Sequence, residues 1–462
     1  MVGALRTGVD IGARTSGDYS LAVRRPLEQM LRIPRDVLCG LVLLLASLTV
    51  TSVHAHEHQS ISPLDEYVYI DYYAKVIHSG PAREGGMVED YARHELGCRG
   101  IRMTWAKIGR LCRHPREYPS GMVPISGHTS AYIYTPLYFL SARIMAEPLV
   151  LAGVDLVEAG RMTGGIWLGL AAILLFVAMR RLRVHRLAAL GVGLVLVGSM
   201  PAYWANSYIS TDATAYAAGA VMVLMTTYLR SEVRRWPALS FVVLSAVVTW
   251  LKFQNIVAVS LAALALLLLA ARDRRRAGGG AVRWYLRDRR VWVAIAAVGA
   301  AAAAQLSWMI VMAALAVGPA PSFGIAVPMK LSYLANNVFA FLPGAASGPD
   351  AGWAGGPIFA ATSFVILGGL FAALVASHIG PLERRLAVAA LVAALVSGPI
   401  LSLIVWSQAG GYVTLPTRYG MPLIPALLTC AAVAASLGPR QARWLLLASG
   451  VVVATLSFGL TG

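Results

Sequence analysis

The chain has 462 residues, 58% of them hydrophobic and only 13% charged, with a formal net charge of +17. A soluble globular surface needs roughly 25% charged residues, so these proportions exclude a soluble domain and describe a polytopic membrane protein. The positive charge lies in short arginine clusters at the ends of apolar runs, where it acts as a topology signal, and on that ground nucleic acid is excluded as a partner.

Apolar runs long enough to cross a bilayer predict spans near 36–55, 162–179, 187–206, 213–229, 237–250, 256–271, 291–315, 357–377, 386–406, 420–437 and 444–461. The expected fold is all-α, with about eleven membrane helices. Its first run, "VLCGLVLLLASLTVTSVHA" (37–55), ends in a stretch that resembles a signal-peptidase site, but it approaches spanning length and is read as an uncleaved anchor. The arginine-rich amino end, "RRLRVHR" (180–186), "RSEVRR" (230–235), "RDRRRAGGGAVRWYLRDRR" (272–290), "ERR" (383–385) and "PRQARW" (439–444) fall on alternate connections and mark the cytoplasmic side. Residues 1–35 are then a cytoplasmic tail, 36–437 the main transmembrane domain with a long external segment at 56–160, and 438–462 a last span. This reading puts the protein in the cytoplasmic (inner) membrane, amino terminus inside and carboxyl terminus outside.

One apolar stretch, "AYIYTPLYFLSARIMAEPLVLAG" (131–153), would reverse every later cluster if it crossed, and it carries Arg143 and Glu147 four residues apart. It is expected as an interfacial helix beginning near Pro136. The runs at 237–250 and 256–271 are separated only by "LKFQN" (251–255), which demands a tight external turn. Aromatic residues at span ends, Tyr203, Trp204, Trp308 and Trp406, are read as an interfacial belt. No internal repeat, CxxC, HExxH or P-loop pattern is present.

The external segment holds about half of the 22 acidic residues, and chemistry is expected there. Cys98 and Cys112, in "CRGIRMTWAKIGRLC", are expected to pair in an oxidising exterior. Just past the first span, "SPLDEYVYIDYY" (62–73) places Asp65 and Glu66 side by side with Asp71 beyond them. A carboxylate at the membrane boundary can act as general base on an acceptor hydroxyl or bind a divalent cation bridging to phosphate; a solvated helix end is the plainer alternative. Past residue 186 the external basic residues are Lys252, Lys330 and Arg418. Arg418, beside Tyr419, suits a phosphate-bearing ligand or a snorkelling side chain, and Lys252 needs a partner unless it too snorkels. Asp212, in "NSYISTDATAYAAG", fits the first turn of a helix or a site. His128 is a surface histidine or a ligand contact.

"SPLDEYVY", "YTPLYFL", "RMTGGIWLG", "NSYISTDA" and "TRYGMPLIPAL", in that order over about residues 36–437, resemble bacterial membrane glycosyltransferases of the C-fold (GT-C) superfamily, near members with "PDExxH", "PPLYY", "NxD" and "GRYxLPxxP" motifs. Tyr69 stands where those members carry histidine, Thr135 where they carry the first proline, and Thr417 where glycine is usual. The resemblance implies that Asp65, with Glu66 beside it, supplies the base or metal ligand, and that Arg418 meets the phosphate of a polyprenyl-phosphate sugar. The implied function is sugar transfer from that lipid-linked donor to an envelope glycan, lipid or protein acceptor. A transporter or flippase of a lipid-linked or anionic substrate, and a non-catalytic assembly protein of the same fold, are the alternatives.

Overall fold

In a computed structural model, residues 34–102, 107–108, 112, 123–231, 233–276, 285–319, 327–376 and 378–461 are described. The predicted cytoplasmic tail lies almost wholly outside them. The chain is nearly all helical; its one ladder pairs Ile101–Arg102 with Lys107–Ile108.

Among the described residues eight helices are long and apolar enough to span: Arg35–Glu57, Leu156–Arg181, Phe253–Arg275, Arg289–Leu315, Gly355–Val375, Pro381–Ser407, Thr417–Leu437 and Arg440–Gly459. A bent pair, Arg186–Val197 with Met200–Asn206, makes nine. The expected eleven are therefore not all reached: Arg235–Leu251 has 17 residues and Ala215–Tyr228 has 14. The run read as one span at 187–206 breaks by 56°. Ser199 caps the second piece by accepting from the Ala202 backbone N–H, and Pro201, in its first turn, has no N–H to continue the first.

The first helix packs along Leu156–Arg181, where "RMTGGIWLG" supplies small residues in place of side chains. A Cβ on Gly169 would fall 2.6 Å from Leu44 Cδ1, and one on Gly164 would fall 1.9 Å from the Asn206 carbonyl oxygen. That close approach seats the loop 207–214 on this helix, and Asn206 Nδ2 fastens it by donating to the Gly164 carbonyl at 3.0 Å.

The arginine clusters gather at one end of the bundle. Arg290 donates to the Arg230 carbonyl and pairs with Asp273, and Arg272, Arg275, Arg384 and Arg385 line one cavity. At the other end the segment predicted to be external packs into a separate core. Tyr67, Ile70, Tyr72, Tyr73, Phe139 and Ile209 are buried together, with Tyr72 stacked on Phe139 at 4.1 Å.

The stretch expected as an interfacial helix is Pro136–Leu151, capped by Thr135, whose Oγ1 accepts from Leu137 N. Tyr203 and Trp204 do not form a belt: both are buried, the Tyr203 hydroxyl bonded to Tyr208 and the Trp204 indole donating to the Pro349 carbonyl.

Cys98 and Cys112 are joined by a disulfide. Closing a loop of about 15 residues removes roughly 3 kcal/mol of unfolded-chain entropy, so Cys98→Ser is expected to lower stability by about that amount. Denaturant unfolding of the purified protein, with peptide mapping under non-reducing conditions, measures it.

Candidate active site

Four charged side chains from four distant parts of the chain meet at the end opposite the arginine clusters. Asp65 is the cap of the helix Glu66–Lys75 and sits in the left-handed region at φ 68°, a backbone state that aspartate tolerates better than most residues. Its carboxylate accepts from Arg418 Nη2 at 2.8 Å, across 353 residues of sequence. Arg418 Nε also lies 3.2 Å from Asp212 Oδ2, and the ammonium of Lys252 binds Asp212 Oδ1.

Exposure separates the roles. The side chains of Lys252 and Asp212 are 1% and 6% exposed, Arg418 is 17% exposed, and Asp65 is 42% exposed. Asp212 is thus the inner counter-ion and Asp65 the carboxylate that faces solvent. Burial alone would raise the Asp212 carboxyl, but Lys252 and Arg418 pull it below the ordinary carboxylate range. Ser210 completes the pocket for it, its hydroxyl accepting from Asp212 N at 3.2 Å.

Two buried tyrosines, Tyr69 and Tyr134, and the partly buried Tyr419 stand beside this cluster. Lys252 Nζ lies 5.7 Å from the Tyr134 ring and 5.4 Å from the Tyr419 ring, within cation–π range. Tyr69, at the position where the resembling motif carries histidine, is buried, its ring edge-on to that of Tyr134 at 5.7 Å. In front of the cluster opens a cleft of about 290 Å³ that Leu64, Trp204, Asp212, Pro349, Thr417 and Arg418 help to line. That volume is close to the lower limit for small-molecule sites, of order 300 Å³.

Glu66, expected beside Asp65 as a second catalytic carboxylate, points the other way. It is fully buried and takes both prongs of Arg161 at 2.8 Å, one on each oxygen, plus the backbone N–H groups of Ser62 at 2.8 Å and Ile209 at 3.0 Å. Arg161 also donates to the carbonyls of His58 and Ser60. This node fixes the strap 58–66 that presents Asp65 and the loop that presents Asp212. Sequence reading missed Arg161; a lone arginine inside the first turns of a span was the available signal. Asp71 is likewise buried, paired with Lys75 at 2.7 Å and accepting from Glu89 N, with burial raising its carboxyl against the pull of Lys75. His128 stands apart, its backbone bridging Met87.

The donor set does not suit a resident divalent ion at this cluster. Both carboxylates are already balanced by side-chain cations, two against two, and an ion entering there would meet Arg418 and Lys252 at contact distance.

No family model matches the chain, and no curated protein matches it in sequence. Its fold is similar to that of ArnT from Cupriavidus metallidurans bound to undecaprenyl phosphate, at a TM-score of 0.50 and 18% identity over 90% of this chain and 63% of that one. The apo state of the same protein gives 0.50 and 18% over 88% and 61%. Arabinosyltransferase EmbB from Mycobacterium smegmatis aligns at 0.46 and 15% over 92% of this chain and 32% of that one. The chain thus spans a little under two thirds of the length of ArnT. The architecture is that of an all-α, multi-pass membrane protein with a GT-C-like fold.

Proposed function

We propose that the protein transfers a sugar from a polyprenyl-phosphate donor to a cell-envelope acceptor at the outer face of the cytoplasmic membrane. The observation that carries the reading is the Asp65–Arg418 pair: an accessible carboxylate held at 2.8 Å against a guanidinium that is itself backed by the buried Asp212 and Lys252. At rest the four charges cancel. Donor phosphate would displace Asp65 from Arg418, because the planar fork of guanidinium binds phosphate oxygens well. Arg418, Lys252 and Asp212 then present one net positive charge to the phosphate, and Asp65 is released toward the acceptor.

The acceptor hydroxyl oxygen attacks the anomeric carbon as the bond from that carbon to the phosphate oxygen breaks, with inversion. The hydroxyl proton goes to Asp65, and the bonding pair leaves with the polyprenyl phosphate. Arg418 and Lys252 face the charge that develops on that leaving group in a site with little water, where such stabilisation is strongest. ArnT, the similar structure, holds undecaprenyl phosphate, which supports a lipid phosphate as the ligand class.

The test is transfer from a panel of radiolabelled polyprenyl-phosphate sugars in membranes of a strain lacking the native protein. Transfer restored by the wild-type chain from any donor supports the reading; none across the panel overturns it in favour of a non-catalytic role. The orientation has its own test. Cysteines placed at the exposed positions Ser79 and Asp350 are expected to react with an impermeant thiol reagent in intact cells, and one at Arg440 is not. Labelling at 440 but not at 79 and 350 would invert the topology.

A further inference from the structure

The first span ends in "HAHEH" (54–58), and its histidines take no part in the site above. His54 is completely buried, and neither of its ring nitrogens has a hydrogen-bond partner. A neutral imidazole carries one N–H donor and one acceptor, and leaving both dry and unpaired is costly. The Ser457 backbone faces the ring without completing a hydrogen bond. The remaining neighbours are aromatic: His58 stacks on it at 5.1 Å, and Tyr203 meets it edge-on at 4.8 Å. Stacking satisfies neither nitrogen.

Glu57 and His58 follow His54 at helical spacings of three and four, so all three side chains leave the same face of the helix end. Each offers a donor atom, and these atoms lie within 4.8 Å of one another. Glu57 is exposed. The Nδ1 of His58 lies 3.3 Å from the Tyr203 hydroxyl, which leaves Nε2 as its ligating atom and supplies the outer partner that a metal-bound imidazole usually has. Two imidazoles and one carboxylate form a ligand set for a zinc-type ion. The other close group among the described residues, His94 with Cys98 and Cys112, has its sulfurs committed to the disulfide.

We propose that His54, Glu57 and His58 bind one divalent transition-metal ion of the zinc class. The ion satisfies the buried His54 ring and pins the helix end from which the strap 58–66 departs. None of its three ligands is a group to which the proton and phosphate chemistry above is assigned, and its binding stands independently of that reading.

The experiment uses the full-length protein, purified without a polyhistidine tag, stripped with chelator and titrated with Zn2+ alone. Bound metal is measured by elemental analysis, and Co2+ is titrated in parallel by its visible absorption. One equivalent in the wild type is expected, with binding at least about tenfold weaker in Glu57→Gln and in His58→Gln and unchanged in His94→Ala. Glu57→Gln is at an exposed position and remains informative if His54→Gln fails to fold. A wild type that binds no metal overturns the proposal, as does binding unaffected by Glu57→Gln and His58→Gln or lost in His94→Ala.

Discussion

Asp65→Asn is expected to reduce sugar transfer by about 10²–10⁴-fold, the usual consequence of removing a general base. The substitution is nearly isosteric and falls on the most exposed carboxylate of the cluster, 42% exposed, so expression, membrane insertion and the disulfide should be unchanged. Thermal unfolding should move little, because a partly exposed ion pair contributes at most about 1 kcal/mol. Arg418→Lys separates the two halves of the mechanism. It keeps the charge but loses the fork that spans Asp65 and Asp212, so it should raise the donor KM more than it changes the response to acceptor. The assay is initial transfer rate against donor concentration in reconstituted membranes at matched protein levels. Full activity in Asp65→Asn would remove the catalytic reading of this carboxylate and leave the cluster as a structural salt-bridge network.

The charged members of this cluster were legible because an apolar chain makes its exceptions conspicuous. Asp65, Asp212, Lys252 and Arg418 all stand near the end of a predicted span, and each needs a reason to be there. Their convergence was not legible, since it depends on contacts across 353 residues that no local pattern encodes. Adjacent carboxylates were the hardest to resolve. Asp65 and Glu66 read as a pair, yet the left-handed backbone at Asp65 aims one outward while the following helical turn buries the other against Arg161. Aromatic residues misled for a similar reason. Tyr203 and Trp204 occupy a span end by sequence, but the 56° break before them folds that end inward, so they pack inside instead of meeting lipid. Tyr134 carried no signal of its own, because a tyrosine in an apolar stretch has the composition of a belt whether it faces lipid or a site.

Glu66→Gln is expected to act on the fold where Asp65→Asn acts on the chemistry. Both Glu66 and Arg161 have fully buried side chains, and the substitution leaves the guanidinium charged with no counter-ion in a dry environment. Breaking one side of such a pair typically costs about 3–5 kcal/mol, far more than the exposed Asp65 pair can supply. Arg161 also holds the carbonyls of His58 and Ser60, and Glu66 also holds the N–H groups of Ser62 and Ile209. Loss of the node should therefore loosen both segments that carry the site, so activity falls together with stability. The double variant Glu66→Gln with Arg161→Met removes the stranded charge and should recover part of the stability without recovering transfer, because the strap and loop remain unanchored. The measurement is a double-mutant cycle on detergent-solubilised protein, following the temperature of half-unfolding beside the transfer rate. If Glu66→Gln instead unfolds like the wild type while losing transfer as completely as Asp65→Asn, the buried carboxylate belongs to the chemistry and the division between the two adjacent residues is wrong.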